Sequence, residues 1–583
     1  MLKISLSKKE LFSVFILLIL GLLWLSLILA LLGIFYSAIL WVYIFSASLF
    51  LIYLIWKNFR QIKIAKNEIF FLALTLTLIA VFSFFSSPTI FSGRDQGSLS
   101  ESAVQLTKNH KLQFSFPAEE EFFRLYGPGQ ALNFPGFSYT QTGQLITHFP
   151  LGYIVWLALF FSFFGLSGMI IANGFSFFIF SCAFYLLAKR FLSPFSAFLA
   201  WLLSATVFTS FWFFKFTLSE NLALALVWLG IYFFILFWDN PKKSSFAIFL
   251  LTFGFLIFTR IEGLAFFAVT LILFFLNFKH HISFKKVLDK KIILLFFVII
   301  AFYILNVFID RQFFLSIAKA ITKPFLVSSN NSFLPSNPFV SLWQIIKIFH
   351  FYGLLIFFFF GLAGFVSSLQ EKKIRLLIPF LIILPAFLYI IYPNISSDHP
   401  WMLRRFMFAI IPASILYSVI FLEKIFRKKI ILGAFLFSLL IANSVMLFFY
   451  LSIVPNQNLL AQIEKISHNF KKTDLILVDQ KATGDNWTMM SGPMSFLYDL
   501  QAVYFFNPSD IDKIDRAKFS AVYFIIPNDN LDFYSQNDLL SKLTPVENYF
   551  IENKTLSVLN SKEKMQPPSI EAKLVFGKIY LLK

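Results

Sequence analysis

The sequence has little charge and almost no cysteine. Only 14% of its 583 residues are Asp, Glu, Lys or Arg, while 58% are hydrophobic and the mean hydropathy is +0.77. Because soluble domains carry roughly 25% charged residues, this composition excludes an ordinary soluble protein. The lone cysteine, Cys182, lies in an apolar run, which excludes an intrachain disulfide. CxxC, HExxH and Ser/His/Asp patterns are also absent, so no familiar metalloprotease or hydrolase chemistry is indicated.

Apolar runs of about 20 residues recur along the chain, each long enough to cross ~30 Å of hydrocarbon. The first run has no cleavage-site pattern and a second follows at once, which indicates a permanent span and not a signal peptide. The predicted fold class is therefore an α-helical polytopic membrane protein. The thirteen predicted spans lie at about 11–35, 37–56, 69–90, 167–187, 195–213, 222–238, 245–259, 262–278, 292–309, 351–369, 376–393, 405–423 and 430–451.

Basic residues predict the side of the membrane on which each loop lies. With the N-terminus in the cytoplasm, every basic cluster falls inside, as the positive-inside rule requires. These clusters occupy 57–66, 189–190, 242–243, 279–291, 370–375 and 423–429. The agreement holds only if the apolar segment 150–165 does not cross, so this segment is predicted to be half-embedded or re-entrant. The net charge of +19 then reflects membrane orientation, and no nucleic-acid partner is predicted.

From residue 452 onward, charges return and short β-rich runs alternate with candidate helices. The predicted strands are 473–479, 501–506, 519–527 and 573–582, and the predicted helices are 457–470 and 510–516. This alternation predicts a small α/β domain over 452–583, on the extracytoplasmic side. Residues 1–451 then form a transmembrane domain that contains the first external loop and its half-helix, 91–166. The glycine-containing segment 479–493 lacks GxGxxG and GxxxxGK(S/T), which favours a capping domain over a nucleotide site.

Charged residues gather in the turns that are predicted to face outside. Asp95, in "FSGRDQGSLSES", follows Arg94 where an apolar run ends, and it could cap a helix or act as a general base. Glu220 begins a later span, where it could stabilise the helix dipole, orient an acceptor or hold a metal. In "TRIEG", Arg260 and Glu262 could pair across the turn, or the guanidinium could bind a phosphate.

The turn "SSDHPWMLRRF" is the richest external turn, with Asp398, His399, Arg404 and Arg405 within eight residues. Arginines outside the cytoplasm run against the usual loop bias. They could contact anionic lipid headgroups, but binding the phosphate of a lipid-linked substrate is the favoured interpretation. His148, at the start of the half-helix, is either an interfacial polar residue or a ligand.

These motifs, in this order and with this sidedness, resemble the GT-C membrane glycosyltransferases of the protein-mannosyltransferase and aminoarabinose-transferase type. The resemblance rests on "GRDQG", "HFPLGYIVWLALFFSFFG", "YLLAKRFLSP", "KFTLSEN", "TRIEG" and "RRFMFAIIP". Two positions depart from the pattern. Gln96 stands where these enzymes commonly have Glu, and Glu220 is alone where the oligosaccharyltransferase branch has Asp-x-Asp. A dedicated metal site is therefore not predicted, although the pattern leaves assistance by a divalent metal open.

The resemblance implies that a sugar moves from a polyprenyl-phosphate donor to an extracytoplasmic acceptor, with inversion at the anomeric carbon. It implies Asp95 as the base and Glu220 as a second catalytic carboxylate. The residues predicted to bind substrates are Arg94, His148, Arg260, Glu262, Asp398, His399, Arg404 and Arg405. The segment 323–339 is predicted to be a lid or an acceptor contact. The sugar stays open, as does the choice between a glycan, lipid or protein acceptor.

Three other classes of function stay open. A lipid-linked glycan flippase or other transporter would need polar or broken helices near the bilayer midplane, where this sequence has few charges. A polymerase or ligase of lipid-linked glycans would share the donor, but a dominant external loop is expected late in such a chain, and here 91–149 dominates. A non-catalytic scaffold would not require Asp95 or external arginines.

Overall fold

The computed structural model describes residues 8–59, 65–278, 287–326, 338–371, 373–391, 398–557, 559–560 and 565–583. Residues 279–286 of the predicted basic cluster lie outside the described residues. So do residues 327–337, which form most of the predicted lid.

The first 451 residues are mainly helical, since a helix satisfies its own backbone hydrogen bonds and can therefore cross lipid. In chain order the helices are α1 (Lys8–Leu31), α2 (Ser37–Asn58), α3 (Lys66–Phe84), α4 (Asp95–Asn109), α5 (Pro117–Tyr126), α6 (Leu151–Phe164), α7 (Leu166–Ala188), α8 (Pro194–Thr206), α9 (Phe208–Phe214), α10 (Ser219–Asp239), α11 (Lys243–Thr259), α12 (Glu262–Phe278), α13 (Lys290–Ile309), α14 (Arg311–Leu326), α15 (Pro338–Phe351), α16 (Leu355–Gln370), α17 (Ile374–Ile383), α18 (Leu388–Ile391), α19 (Arg404–Met407), α20 (Ile410–Ile425) and α21 (Lys429–Leu451).

Seven of the described helices are long and apolar enough to cross a membrane: α1, α2, α3, α7, α10, α13 and α21. The number rises to ten if each of three bent pairs, α8–α9, α15–α16 and α19–α20, counts as one span. The chain is therefore a multi-pass membrane protein, as predicted. The expected total of thirteen spans stays a prediction. Helices α11 and α12, for example, have only 17 residues each and are too short to be counted among the seven.

Helix α10 lies at the centre of the helical bundle. Within its apolar window 89% of the residues are buried, against 11% in α2, whose side chains face outward. It packs against α7 and α11, and its first turn lies near α19. A polar residue at the start of α10 is therefore shielded from both water and lipid.

Helix α6, the predicted half-helix, has 14 residues and is about 21 Å long, shorter than the ~30 Å hydrocarbon core. It ends at Gly165, whose positive φ of 58° turns the chain directly into α7. Its first nine residues are buried against neighbouring helices, including α4 and α7. Its depth in the membrane stays a prediction.

Two β-structures accompany the helices. A small antiparallel sheet in the first polar loop has the order β1 (Gly129–Gln130), β2 (Phe137–Tyr139), β3 (Leu145–Thr147). The C-terminal sheet comprises β5 (Leu475–Asp479), β6 (Gln501–Phe505), β7 (Val522–Pro527), β8 (Leu543–Leu556) and β10 (Ile570–Leu582), in the order β6-β5-β7-β10-β8. Helices α22 (Leu459–Ser467) and α23 (Leu531–Gln536) accompany this sheet.

The predicted C-terminal α/β character is confirmed, with β6, β5 and β7 parallel, β10 antiparallel to β7, and β8 antiparallel to β10. Strand β8 was not predicted, because "LTPVENYFIENKTL" is largely polar and half of its residues are exposed. A separate short pair joins β4 (Asp398–His399) to β9 (Leu559–Asn560), so the C-terminal segment also contacts the chain just before α19.

Cysteine labelling tests the predicted sidedness. Thr142 in the first polar loop and Ser244 at the start of α11 are both exposed, and the native Cys182 is buried. In intact cells, a membrane-impermeant maleimide is expected to label Thr142→Cys and not Ser244→Cys, because the positive-inside rule places the two residues on opposite sides. Permeabilised cells are the control, in which both variants should react. Labelling of both from outside would contradict the predicted orientation.

The buried acid Glu119 in α5 makes the stability of the first polar loop depend on pH. Its Oε2 accepts the backbone N–H of Phe116 at 3.1 Å, whereas its Oε1 has no hydrogen-bond partner within the described part of the chain. Burial, and the nearby charge of Glu120, raise the pKa of Glu119 from 4.5 to about 8. The folded state therefore holds a proton that the unfolded chain releases near pH 4.5, so stability falls as pH rises through this window.

We expect Glu119→Gln to raise the apparent melting temperature of the purified protein at pH 8 and above. At pH 4 to 5, about the pKa of the Glu119 carboxyl group in the unfolded chain, we expect little change. Thermal unfolding in detergent across this pH range measures the effect. Glu571→Gln, at an exposed position on the C-terminal strand β10, is the matched control. An equal change in melting temperature at every pH would show that the pKa of Glu119 does not differ between the folded and unfolded states.

Candidate active site

A tight turn places Asp95 at the start of α4. A Cβ atom at Gly97 would lie 1.7 Å from the carbonyl oxygen of Ser92, so only glycine allows this approach. The N-cap position falls on Arg94 and makes no side-chain capping bond. The capping role considered for Asp95 is therefore not the one found. Its carboxylate instead lies 2.7 Å from NH1 of Arg404, which is more than 300 residues away in the chain.

Hydrogen bonds attach this turn to the segment that precedes α10. The carbonyl of Gln96 accepts the hydroxyl of Thr217 at 2.8 Å. The segment itself is held by Asn173 of α7, whose side-chain amide donates to the carbonyls of Phe214 and Phe216 at 2.9 Å. The start of α4 and the start of α10 are thus fixed relative to each other, which positions Asp95 beside the first turn of α10.

Acidic and basic side chains alternate across the start of α10. Glu220 Oε1 lies 2.8 Å from NH1 of Arg260 and 3.8 Å from Nε of Arg404. Glu262 Oε1 lies 2.7 Å from NH2 of Arg260 and 3.6 Å from NH1 of Arg405. The resulting network, here called the ion-pair chain, runs in the order Asp95, Arg404, Glu220, Arg260, Glu262, Arg405. It joins residues from four separate parts of the sequence.

A second pair lies beside the ion-pair chain. Arg94 NH2 is 3.5 Å from Asp398 Oδ2, and the guanidinium lies 5.4 Å from the ring centroid of Trp401 and 4.8 Å from that of Trp487. Arg94 is therefore held between two indole rings, one from the segment before α19 and one from the C-terminal domain.

The two predicted histidines lie outside these ion pairs. His148 contacts the ring of Phe313, and its burial lowers its pKa while the charge of Asp95 opposes that shift. His399 is buried, with Nδ1 2.9 Å from the hydroxyl of Tyr352 and Nε2 without a partner in the described residues. Burial lowers the pKa of His399 as well, so both rings favour the neutral form at neutral pH.

Accessibility distinguishes the members of the ion-pair chain. The side chain of Asp95 is 40% exposed, whereas those of Glu220 and Arg260 are 3% and 5% exposed. Arg260 directs all three nitrogens to Glu220, Glu262 and the hydroxyl of Ser219. Arg405 is less completely paired, because its contact with Glu262 is long, at 3.6 Å, and its side chain is 26% exposed. An incoming anion could therefore reach the exposed part of the Arg405 guanidinium, while the Asp95 carboxylate is open to a group that gives up a proton.

The described residues contain no group of three or more His, Cys, Asp or Glu side chains placed to hold a metal ion. Every carboxylate of the ion-pair chain instead faces at least one arginine, and cations in these positions compete with a metal for the same oxygens. The arrangement is suited to binding an anion and to removing a proton from a neighbouring group.

Two contributors to this region were not predicted from the sequence. Lys215 is buried, and its Nζ donates to the carbonyls of Tyr450, Leu451 and Ile453, which end helix α21. A lysine next to a turn that is predicted to be external runs against the positive-inside rule, so the sequence does carry a signal for Lys215. Trp487 gave no such signal, because its loop has no periodicity and lies almost 400 residues from Arg94.

Solved structures share this fold. The chain resembles ArnT from Cupriavidus metallidurans in its complex with undecaprenyl phosphate, with a TM-score of 0.53 and 11% identity over 88% of this chain and 97% of that one. The apo state of the same protein gives a TM-score of 0.54 and 10% identity over the same shares. The Archaeoglobus fulgidus oligosaccharyltransferase gives 0.49, with 12% identity over 84% and 73%, which is too low to support an inference.

No family model and no curated protein matches the sequence. The structural likeness nonetheless shows the fold of the molecule: it is the GT-C fold, as the order of its motifs predicted.

Replacing Arg260 separates the two interpretations of this residue. Arg260→Met would leave Glu220 and Glu262 buried without their shared cation, and breaking a buried pair in this way costs about 3–5 kcal/mol. We therefore expect a marked drop in the apparent melting temperature, measured in detergent. The double variant Arg260→Met with Glu220→Gln is expected to recover part of the loss. Unchanged stability would instead favour a guanidinium that is reserved for a substrate phosphate.

Proposed function

We propose that this protein transfers a sugar from a polyprenyl-phosphate donor to an extracytoplasmic acceptor, with inversion at the anomeric carbon. The observation that carries this proposal is the ion-pair chain, which brings an accessible carboxylate and two incompletely paired arginines to one end of the bundle. The fold shared with ArnT, a protein solved with undecaprenyl phosphate bound, supports the choice of donor.

In this proposal the donor phosphate binds to Arg405 and Arg404. The Arg405 side chain is 26% exposed and its contact with Glu262 is long, at 3.6 Å, and Arg404 is shared between Asp95 and a distant Glu220 oxygen at 3.8 Å. A guanidinium presents parallel N–H donors that match two phosphate oxygens. Neutralising the phosphate charge in a poorly hydrated site makes the polyprenyl phosphate a better leaving group, because charge develops on its oxygen as the bond to the sugar breaks.

Asp95 then acts as the base. The acceptor hydroxyl gives its proton to the Asp95 carboxylate while its oxygen forms a bond to the anomeric carbon, and the bond from that carbon to the phosphate oxygen breaks with its electron pair. The products are the glycosylated acceptor, a polyprenyl phosphate and protonated Asp95. Attack from the face opposite the phosphate inverts the anomeric centre. The 40% exposure of Asp95 favours it over Glu220 for contact with the acceptor.

Glu220 and Glu262 receive positioning roles in this scheme. Both are held by Arg260, and each in turn contacts one of the other arginines, Glu220 with Arg404 and Glu262 with Arg405, and helps to fix its orientation. His148, His399, Arg94 and Asp398 line the surroundings and are proposed to contact substrates. The loop 91–166 and the domain 452–583 are proposed to lie on the extracytoplasmic side, with the half-helix of that loop partly embedded in the membrane and the N-terminus in the cytoplasm.

The proposal is tested with membranes that carry the protein and a labelled polyprenyl-phosphate sugar. Asp95→Asn keeps the size of the side chain but cannot take up the proton, so transfer is expected to fall by about 100- to 10,000-fold. Binding of the donor, measured separately, is expected to persist. Asp512→Asn removes an exposed carboxylate from the C-terminal domain and is the matched control, with transfer at the wild-type level.

Equal transfer by wild type and Asp95→Asn would remove Asp95 from the chemistry. A wild-type protein that moves the labelled lipid across the membrane without forming a glycosylated product would support a flippase instead. A product that grows by repeated addition of the whole lipid-linked glycan would support a polymerase.

A further inference from the structure

The C-terminal domain reaches the catalytic turn through one loop. The backbone N–H of Gly93 donates to the carbonyl of Trp487 at 2.7 Å, and the N–H of Met489 donates to the carbonyl of Phe91 at 2.6 Å. The Met489 side chain lies directly against Gly93, where even a Cβ would approach it within 2.7 Å. Trp487 is thus paired with Gly93, which precedes Asp95 by two residues. The turn that Trp487 and Met489 contact is therefore the turn that fixes the proposed base.

The indole of Trp487 is fixed but only half covered. Arg94 lies 4.8 Å from its ring centroid, and the residue remains 50% exposed. Its backbone N–H donates to Asp485 Oδ1 at 3.0 Å, so the loop that carries it is closed by its own hydrogen bond. The backbone hydrogen bonds to the turn and the bond within the loop hold this exposed indole in place, so its open face is available to a ligand.

The polar groups around this indole are those that recognise hydroxyl groups. Arg94 and Asp398 form a partly exposed pair on one side, and Asp485 is close enough to Arg94 to interact with its charge. A pyranose ring has an apolar C–H face that packs on an aromatic ring, while its hydroxyls accept from guanidinium groups and donate to carboxylates. A peptide would more often be bound by an exposed strand edge or an apolar groove.

We propose that Trp487, with Arg94 and Asp398 at its rim, forms a subsite that binds a sugar ring of the acceptor. The assignment of this sugar to the acceptor rests on the proposed function. The subsite is built from three parts of the chain, one of them in the C-terminal domain, which then contributes directly to the active site. The acceptor class then becomes a glycan or a glycolipid with its sugar presented to the site.

Binding is tested without any reliance on catalysis. The full-length protein is labelled with 5-fluorotryptophan in detergent, and the ¹⁹F signal of Trp487 is assigned by its loss in Trp487→Phe. Soluble trisaccharides of glucose, galactose, mannose and N-acetylglucosamine are then titrated. At least one is expected to shift the Trp487 signal in a saturable manner. Trp343, which is also exposed but lies on α15, is the internal control and should not shift.

Kinetics then link the subsite to transfer. Trp487→Ala is expected to raise the acceptor KM about tenfold with little change in kcat, because it removes the stacking surface and leaves Asp95 in place. Trp487→Phe retains an aromatic face and is expected to stay close to wild type. Phe550→Ala, a comparably exposed aromatic on the C-terminal sheet, is the matched control. The melting temperature and the ¹⁹F signal of Trp401 report whether the loop remains docked.

The outcomes separate the two proposals. Failure of every trisaccharide to shift Trp487 would overturn the subsite, even if sugar transfer occurs. A saturable shift with a serine- and threonine-rich peptide alone would also overturn it, in favour of a protein acceptor. A shift with a trisaccharide in a protein that transfers no sugar would retain the subsite and reject the proposed function. A kcat defect in Trp487→Ala with unchanged KM would overturn the acceptor role.

Discussion

Charge pairing in a poorly hydrated place is the constraint on which this structure depends. Six side chains of alternating sign meet around the first turn of α10, the most buried of the seven candidate spans in the described residues. An isolated charge there would cost several kcal/mol, so each carboxylate needs an arginine and each arginine a carboxylate. Because the partners come from four parts of the chain, their pairing fixes how the starts of α4, α10, α12 and α19 lie relative to one another.

The uncharged hydrogen bonds around the ion-pair chain serve the same requirement. An ion pair in a low-dielectric setting is favourable only at good geometry, and geometry is set by the backbone that carries the side chains. Thr217 and Asn173 fix the segment before α10, and Lys215 joins that segment to the end of α21. The C-terminal domain then holds both sides of the site, through Trp487 and Met489 at one turn and through β9 paired with β4 at the other.

The sequence was informative wherever a residue was out of place in a membrane protein. Asp95, Glu220, Arg260 and Arg404 could be found because charges at the end of apolar runs are costly and therefore few. The basic loops predict the side of the membrane on which they lie, and the order of the motifs indicated the GT-C fold. These signals identified segments, but they could not show which acid meets which arginine, since pairing depends on the packing of distant helices.

Other features of the structure could not be predicted from the pattern of apolar and polar residues. The bend between α8 and α9 falls at Val207, where the sequence has neither proline nor glycine. Strand β8 is too polar to resemble a buried strand, and Trp487 lies in a loop with no periodicity. Strand β8 is held by its pairing with β10, and Trp487 by the backbone of Gly93, and neither partner can be recognised from local preference.

The position of Arg404 connects this packing to the proposed chemistry. Its guanidinium is the only described side chain that is paired with both Asp95 and Glu220, at 2.7 Å and 3.8 Å. A phosphate that binds to Arg404 and Arg405 must compete with Asp95 for the same donors, and two negative charges close to one guanidinium repel each other. Donor binding would therefore release the more exposed carboxylate and leave the buried Glu220 in place. This competition sets the order of events in the proposed reaction. Asp95 is freed to accept a proton only once the arginines have neutralised the donor phosphate. It therefore activates no acceptor hydroxyl before the donor is in place.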